Sequence, residues 1–469
     1  MGRRWTWAAL ACGIAASLGA SAQYWAPAGI PLPVNNQLHQ IYTDTVGDAV
    51  YFCGRPVGID SLGQCYKLVA RTPDGWELMG RFLGDIRSCT AWGDTLVVAA
   101  TYKANMGGDS IPYIVAYYDQ AWHPFGAFDE AVTRLRTFGT ELYAVGVFVE
   151  ADGHLCYGLA RRQGGQWVNV GDFPNDGDGQ LVGDVTQWNG QLVATGQISA
   201  PEGNDVFIFD GSSWSQLGQG ILGSFGYGKR LAVYNGDLYV GGGIGIGVGN
   251  PGHAILRYDG SQLVAVGDTG LLVLPGWYGN NGGVEDMMVH DGELFVCGAF
   301  NYADGVNSRA VARWNGTHWC AVGGEPQTVV MTLGFYHDTL YINCPGTFDG
   351  VAMNYVAKFT APAYVDSCSS PVGVDELPRS AGEDALSAWL DADGVLVIKG
   401  LPTGEHRIRV YDAWGRVVAD EQLTSVHAAP SYMKLPRLST GAYSGALSAR
   451  WPSRQVCLGS LISTNRATS

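Results

Sequence analysis

Charge is scarce in this 469-residue chain: Asp, Glu, Lys and Arg make up 15% of it, with 28 Lys and Arg against 43 Asp and Glu for a formal charge of −15. The few cations form no cluster. That excludes a nucleic-acid surface, which needs Lys and Arg to displace the counterions on phosphates. Beyond the N-terminal segment no apolar run approaches the ~20 residues that span a bilayer as a helix. Catalytic signatures are missing as well: H-E-x-x-H, G-x-S-x-G, the P-loop and S-x-D-x-G-x-x-W are all absent. So are Cys-x-x-Cys pairs and close Cys/His sets, which removes the usual zinc sites.

Glycine and aromatic side chains are plentiful instead, at 67 Gly and 11% Phe, Trp and Tyr within 46% hydrophobic residues. With no Lys/Glu-rich helical stretch, this composition predicts short strands and tight turns. The opening "MGRRWTWAALACGIAASLGASAQ" joins Arg3 and Arg4 to an apolar run ending in Ala20-Ser21-Ala22. That is the pattern of a secretory signal, with cleavage expected after Ala22. Its removal takes Cys12 and leaves nine cysteines, an odd number whose pairing cannot be read from spacing.

The chain repeats itself. "GDAVYFCG", "GDTLVVAA", "GTELYAVG", "NGQLVATG", "NGDLYVGG", "DGELFVCG" and "HDTLYINC" align on Val50, Leu96, Leu142, Leu192, Leu238, Leu294 and Leu340, at steps of 46, 46, 50, 46, 56 and 46 residues. Two turn-type residues precede each anchor and suit hairpins that need positive φ, with His337-Asp338 the poorest fit. After each anchor comes a run apolar on both faces, then a loop, a second run such as "VARW", a turn, and an aromatic at Trp76, Trp122, Trp167, Trp214 or Trp319. Leu263 and Tyr364 stand in for the aromatic in the fifth and seventh copies. Each copy reads as four strands with two apolar faces, which a radial arrangement buries against neighbours. The expected fold is all-β: a seven-bladed β-propeller over about 36–368. An open solenoid fits less well, since its coils are shorter.

The pattern "GAFNYADG" then "ARWNGTHW", with echoes in "GVFVEADGHLCYGLARRQGGQW" and "GGGIGIGVGNPGHAILRYDGSQL", resembles the kelch-like propeller repeats of bacterial surface proteins. It is also similar to repeats in fungal cortical polarity-marker ectodomains. Such a likeness implies the fold and leaves the ligand open. Kelch-like copper oxidases use a particular Tyr/Cys/His set, and among 23 Tyr and 9 His a match would be chance.

Residues 369–388 read as a Ser-, Pro- and acid-rich linker, and 389–469 as alternating strands of a small C-terminal β-sandwich. The order "IRVYDAWGRVV" then "LPRLSTGAY" resembles the type A C-terminal sorting domain of bacterial type IX secretion, with Gly415 and Arg416 at its turn and Leu438, Gly441 and Tyr443 in its "L..G.Y" signature. The usual Lys-containing last strand is replaced by "RQVCLGSLISTNRATS". The resemblance implies export across the outer membrane of a Bacteroidetes-type bacterium by the type IX machinery, removal of the tail, and release or attachment at the cell surface.

Three sets of residues are candidates for a site. Eight residues before each anchor lie Tyr42, Ser88, Arg134, Asp184, Arg230, Asp286 and Thr332, at the start of the innermost strand. Four in a row alternate Arg and Asp: either a belt of ion pairs between blades or a polar floor for a ligand. The loops leading to Asp184, Arg230 and Asp286 are the longest, at 13, 12 and 19 residues from the preceding closing glycine. They carry Asp176, Asp178, Tyr227, Lys229, Trp277 and Tyr278, a set suited to a sugar ring or peptide side chain. The loops after the anchor strands hold Asp60, Asp109, Asp152, Asp205, Asp304 and Asp349. Calcium is the cation such oxygens would suit, with solvated turns the plainer reading. The sequon Asn315-Gly316-Thr317 reads as turn chemistry.

The leading expectation is therefore an exported, non-catalytic propeller that binds a glycan or protein. The alternatives are a secreted glycan-degrading or oxidising enzyme acting through the channel-mouth charges, and a structural surface protein.

Overall fold

The computed structural model describes residues 24–368, apart from 62, 101–103, 107–108, 112, 172, 174–180, 201–202, 224–225, 247–248, 274–282, 325, 349–350 and 366, together with strands between 387 and 458. The N-terminal segment expected to be a signal, with Ala22, residues 369–386 of the expected linker, and Gly415, Arg416, Leu438, Gly441 and Tyr443 lie outside the described residues, whereas the last two residues assigned to that linker open the strand Ser387–Leu390.

The described chain is all-β, built of four-stranded antiparallel sheets in a manner consistent with a β-propeller. Between Trp25 and Phe359 there are seven such sheets, taken here in chain order and each opening on one strand: Val34–Asp44, Ile86–Trp92, Val132–Phe138, Leu181–Trp188, Tyr227–Tyr234, Gly283–His290 and Leu333–Tyr336. Each opening strand touches the opening strands of the sheets before and after it, and Leu333–Tyr336 touches Val34–Asp44, so these strands form a closed ring. The apolar runs on both faces now have their reason. A separate buried cluster fills every joint between neighbouring sheets, including Phe52 and Ile41 against Tyr341 and Val356 at the joint of the seventh with the first.

The hairpins follow their turn residues. Both members of Asn189-Gly190, Asn235-Gly236 and Asp291-Gly292 take positive φ, as a type I′ turn requires. His337, the poorest fit by sequence, also adopts positive φ at 49°. Its ring stacks on Tyr336 and reaches Asp48 at 2.8 Å, which compensates the left-handed backbone.

The seventh sheet departs from expectation. Its outer strand is Trp25–Pro27 from ahead of the repeats, paired antiparallel with Tyr355–Phe359. Trp25 faces Phe359 as Trp319 faces Trp314 and Trp214 faces Phe209, so Trp25 fills the seventh aromatic position that Tyr364 was expected to fill. The indole N–H groups of Trp25, Trp167, Trp214 and Trp319 donate to Gly323, Phe125, Val170 and Val266 at the ends of the preceding sheets. Tyr364 instead lies against Phe295 with the Arg313 guanidinium over its ring. Its segment runs along the outer edge of the sixth sheet, fastened by Ala321 N–H to Ser367 O and by a Cys320–Cys368 disulfide.

The tail holds two antiparallel sheets, one of strands Ser387–Leu390, Val395–Lys399 and Ser431–Lys434, the other of Gly404–Tyr411, Val417–Ser425, Leu447–Arg450 and Gln455–Leu458. No helix among the described residues is long and apolar enough to cross a membrane.

Candidate functional site

Each ring strand is the edge of its sheet, and an edge leaves backbone N–H groups without ladder partners. At one level of the ring, side chains supply those partners. A register shift precedes Gln40, Ser88, Arg134, Asp184, Arg230 and Asp286 at the same place in each pairing. Gln40, not Tyr42, therefore occupies the first sheet's position. The first hairpin runs from Thr43 to Val50, where the second needs only Ala91 to Leu96, and the longer turn moves the count along the strand. Tyr42 sits deeper in the ring, its hydroxyl accepting from Ala91 N–H.

From this level each acceptor reaches into the next sheet. Gln40 Oε1 accepts from Cys89 N–H, Ser88 Oγ from Leu135 N–H, Asp184 Oδ2 from Leu231 N–H and Thr332 Oγ1 from Ile41 N–H, at 2.8 to 3.1 Å. Arginine has no acceptor to offer. In the sheet after each arginine the residue at the same level is an aspartate, whose own Oδ1 takes the N–H: Val185 onto Asp184 and Met287 onto Asp286, at 3.0 and 3.1 Å. The Arg–Asp alternation is thus a second solution to the edge problem. The carboxylate that replaces the missing acceptor also neutralises the arginine.

The four predicted charges do come together. Arg134 lies 3.1 Å from Asp286 and 3.6 Å from Asp184, and Arg230 lies 3.3 Å from Asp286. Thr332 donates to Asp286 Oδ2 at 2.7 Å. Arg134, Asp184 and Asp286 are buried. Burial pushes the Asp184 carboxyl up, but Arg136 and Arg134 outweigh it and hold the group at about 2. Burial beside Arg136 and Arg230 lowers Arg134 to about 10. The arginine that hydrogen-bonds Asp184 is Arg136, at 2.6 and 2.7 Å, which sequence reasoning missed. Its signal was legible, since "RLR" on a strand puts Arg134 and Arg136 on one face.

One residue nearer the strand start, Lys229 pairs with Glu285. Tyr227, at the opening of the same strand, is half-buried, its ring pressed where a Gly243 side chain would stand. On the far side of the ring, His39 and Arg87, each one residue before the ring level, form a cluster with Arg55 and Asp85 where the first and second sheets join, a meeting the sequence reading did not find. His39 Nε2 lies 3.2 Å from Asp85, which Arg55 also engages, and His39 Nδ1 lies 3.4 Å from Arg87. Burial, then Arg87, lowers the imidazole to about 4. A neutral ring that accepts from Arg87 and donates to Asp85 has no free nitrogen for chemistry.

Among the loop acids, Asp205 and Asp304 are buried rather than solvated, which corrects the plainer expectation. Asp304 accepts from the N–H groups of Asp268 and Thr269, Asp152 from those of Ala127 and Trp167, and Asp205 from Ile198 at 2.7 Å. All three have positive φ: Asp152 and Asp304 are turn residues, Asp205 sits at a bulge within the strand Gly203–Phe209, and each side chain pins its hairpin to neighbouring backbone. Among the described residues no three His, Cys, Asp or Glu side chains converge on a point where a metal would sit. Trp277, Tyr278, Asp176, Asp178 and Asp349 lie outside the described residues. Asn315 behaves as a turn residue, its Oδ1 accepting from Thr317 and His318 N–H. A cavity of about 250 Å³ lies away from the ring, at the seam of the sixth and seventh sheets, lined by Trp25, Asn307, Arg309 and Phe348 among others.

No known protein family and no curated protein matches the sequence. Among solved structures, the chain is similar to the computationally designed protein Ika8, at 12% identity and a TM-score of 0.34 over 75% of this chain and 96% of that one. It is also similar to a fungal alcohol oxidase of the AA5 family in complex with copper, at 13% and 0.39 over 91% and 95%. A third is a Bacteroides thetaiotaomicron protein of unknown function, at 9% and 0.35 over 68% and 95%. At these scores the fold rests on the chain's own sheet topology.

Proposed function

We propose that the chain is an exported seven-bladed propeller that binds a glycan or protein ligand without transforming it, through the face carrying 172–183, 219–229 and 268–285. The observation that carries this reading is the saturation of the inner carboxylates: Asp184 and Asp286 each meet arginine and backbone N–H donors in a buried wall. A proton-transfer group needs an open partner position and a pKa near the working pH, and a carboxyl held at about 2 has neither. Recognition then falls to what borders the ring on the long-loop side, where Tyr227 and the Lys229–Glu285 pair offer an aromatic face beside polar groups.

A glycan and peptide array read with the wild type, Tyr227→Ala and Lys229→Ala tests it. Binding that weakens at least tenfold in either variant supports the reading. Binding unchanged in both and lost in Trp277→Ala moves the site along the same face, and the absence of any ligand favours a structural surface protein. Export is tested separately. Deleting 389–469, read here as a type IX sorting β-sandwich, is expected to leave a folded propeller in the periplasm, and normal surface delivery of the truncation would overturn that part.

A further inference from the structure

The joint between the first and second sheets holds two buried thiols, Cys53 and Cys89, with sulfurs 3.2 Å apart. Both are positioned by one residue: Cys53 faces Gln40 across the first hairpin, and Cys89 donates its backbone N–H to the Gln40 side chain. The repeat supplies six comparisons. The positions facing the ring level across the hairpin are Cys53, Ala99, Val145, Thr195, Gly241, Cys297 and, in the seventh sheet, Asn343. The positions one residue beyond the ring level are Ile41, Cys89, Leu135, Val185, Leu231, Met287 and Leu333. Cysteine stands at both only at this joint. At the joint of the sixth and seventh sheets, Cys297 packs in a cluster with Leu333, not a cysteine, at the position one residue beyond the ring level.

We propose that Cys53 and Cys89 are a disulfide-forming pair that covalently links the first and second sheets when the chain folds in an oxidising setting. The sulfurs need to close from 3.2 Å to the ~2.0 Å of a bond, within one packed joint. Burial and the neighbouring Cys53 thiol raise Cys89 well above the usual thiol range, so little thiolate exists once the joint has packed. The bond therefore forms during folding, with a small-molecule or protein disulfide as oxidant. One cysteine thiolate attacks that disulfide and expels one thiolate. The second cysteine thiolate then attacks the mixed disulfide and expels the other, so the pair loses two electrons and two protons and the oxidant becomes two thiols.

The test is refolding of the full chain in oxidised and reduced glutathione, followed by denaturation, alkylation and non-reducing peptide mapping. Cys53 and Cys89 are expected in one linked peptide, unalkylated, with Cys297 and Cys344 alkylated. Formation of Cys320–Cys368 reports that oxidation worked. Alkylation of both Cys53 and Cys89 in chains that carry Cys320–Cys368 overturns the proposal. A Cys320→Ser/Cys368→Ser variant gives a second readout: reductant should lower its Tm by several degrees, and an unchanged Tm contradicts the link. Neither readout depends on export or on a ligand.

Discussion

Around the inner ring, the seventh, first and second sheets join their neighbours through Thr332, Gln40 and Ser88, whereas the third to sixth sheets use Arg134, Asp184, Arg230 and Asp286. Both halves satisfy edge N–H groups at the same level of the strand. The neutral half does so with one small acceptor per joint, at little desolvation cost. The charged half buries whole ions, whose desolvation is repaid only while every partner is present. The two halves should therefore fail differently: the neutral half by single hydrogen bonds, the charged half as a unit.

The largest effect is expected from Asp286→Ala, which leaves Arg134 and Arg230 without their shared carboxylate and Met287 N–H without its acceptor. A loss of about 3–5 kcal/mol in urea unfolding is predicted. Trp25→Ala, which empties the closing position of the seventh sheet and removes its bond to Gly323, should cost about 3–4 kcal/mol. In the neutral half, Ser88→Ala removes the acceptor of Leu135 N–H and a donor to Gln40, for about 1–3 kcal/mol.

Acid should separate the halves along the pH axis. His39 titrates near 4 in the fold against an ordinary 6.5. The unfolded chain therefore binds more protons between those values, and the stability that neutral His39 contributes is lost as pH falls from about 6.5 to about 4. Asp184, held at about 2 against an ordinary 3.8, contributes stability that is present above about pH 4 and lost as pH falls toward 2. A Tm series should fall in two steps, and His39→Gln should flatten the upper one. The opposite sign belongs to Asp205, raised by burial to about 7. The folded chain keeps that proton longer than the unfolded one, so stability falls as pH rises from about 4 to about 7. Asp205→Asn keeps the positive φ and the Ile198 bond, and should stabilise the protein above pH 7 by about 1–3 kcal/mol.

Much of the all-β architecture was legible because each repeat carries its own turn pair, anchor and aromatic. The ring level could be found by counting back from the anchor, and the count failed only where the first hairpin is longer. The seventh sheet's outer strand was misread because its tryptophan lies at the other end of the chain, and no local pattern connects Trp25 with Phe359. Arg136 was readable from strand period. The His39, Asp85, Arg55 and Arg87 cluster was only half-legible: His39 and Arg87 stand one residue before the ring level, as Lys229 and Glu285 do, but the longer first hairpin hid that match, and Arg55 and Asp85 join them only through the packing of two sheets. The alternation of Arg and Asp was visible as a pattern, but its cause was not: it lies in backbone N–H groups, which a sequence does not display.

The central claim is that the charged half of the ring is a coupled wall. A double-mutant cycle on Arg134→Ala and Asp286→Ala in urea unfolding tests it most directly. The account predicts a coupling of about 2 kcal/mol or more, with the double variant more stable than the sum of the single losses implies. Losses that add to within about 0.5 kcal/mol would contradict it and return these four residues to candidacy as a ligand floor.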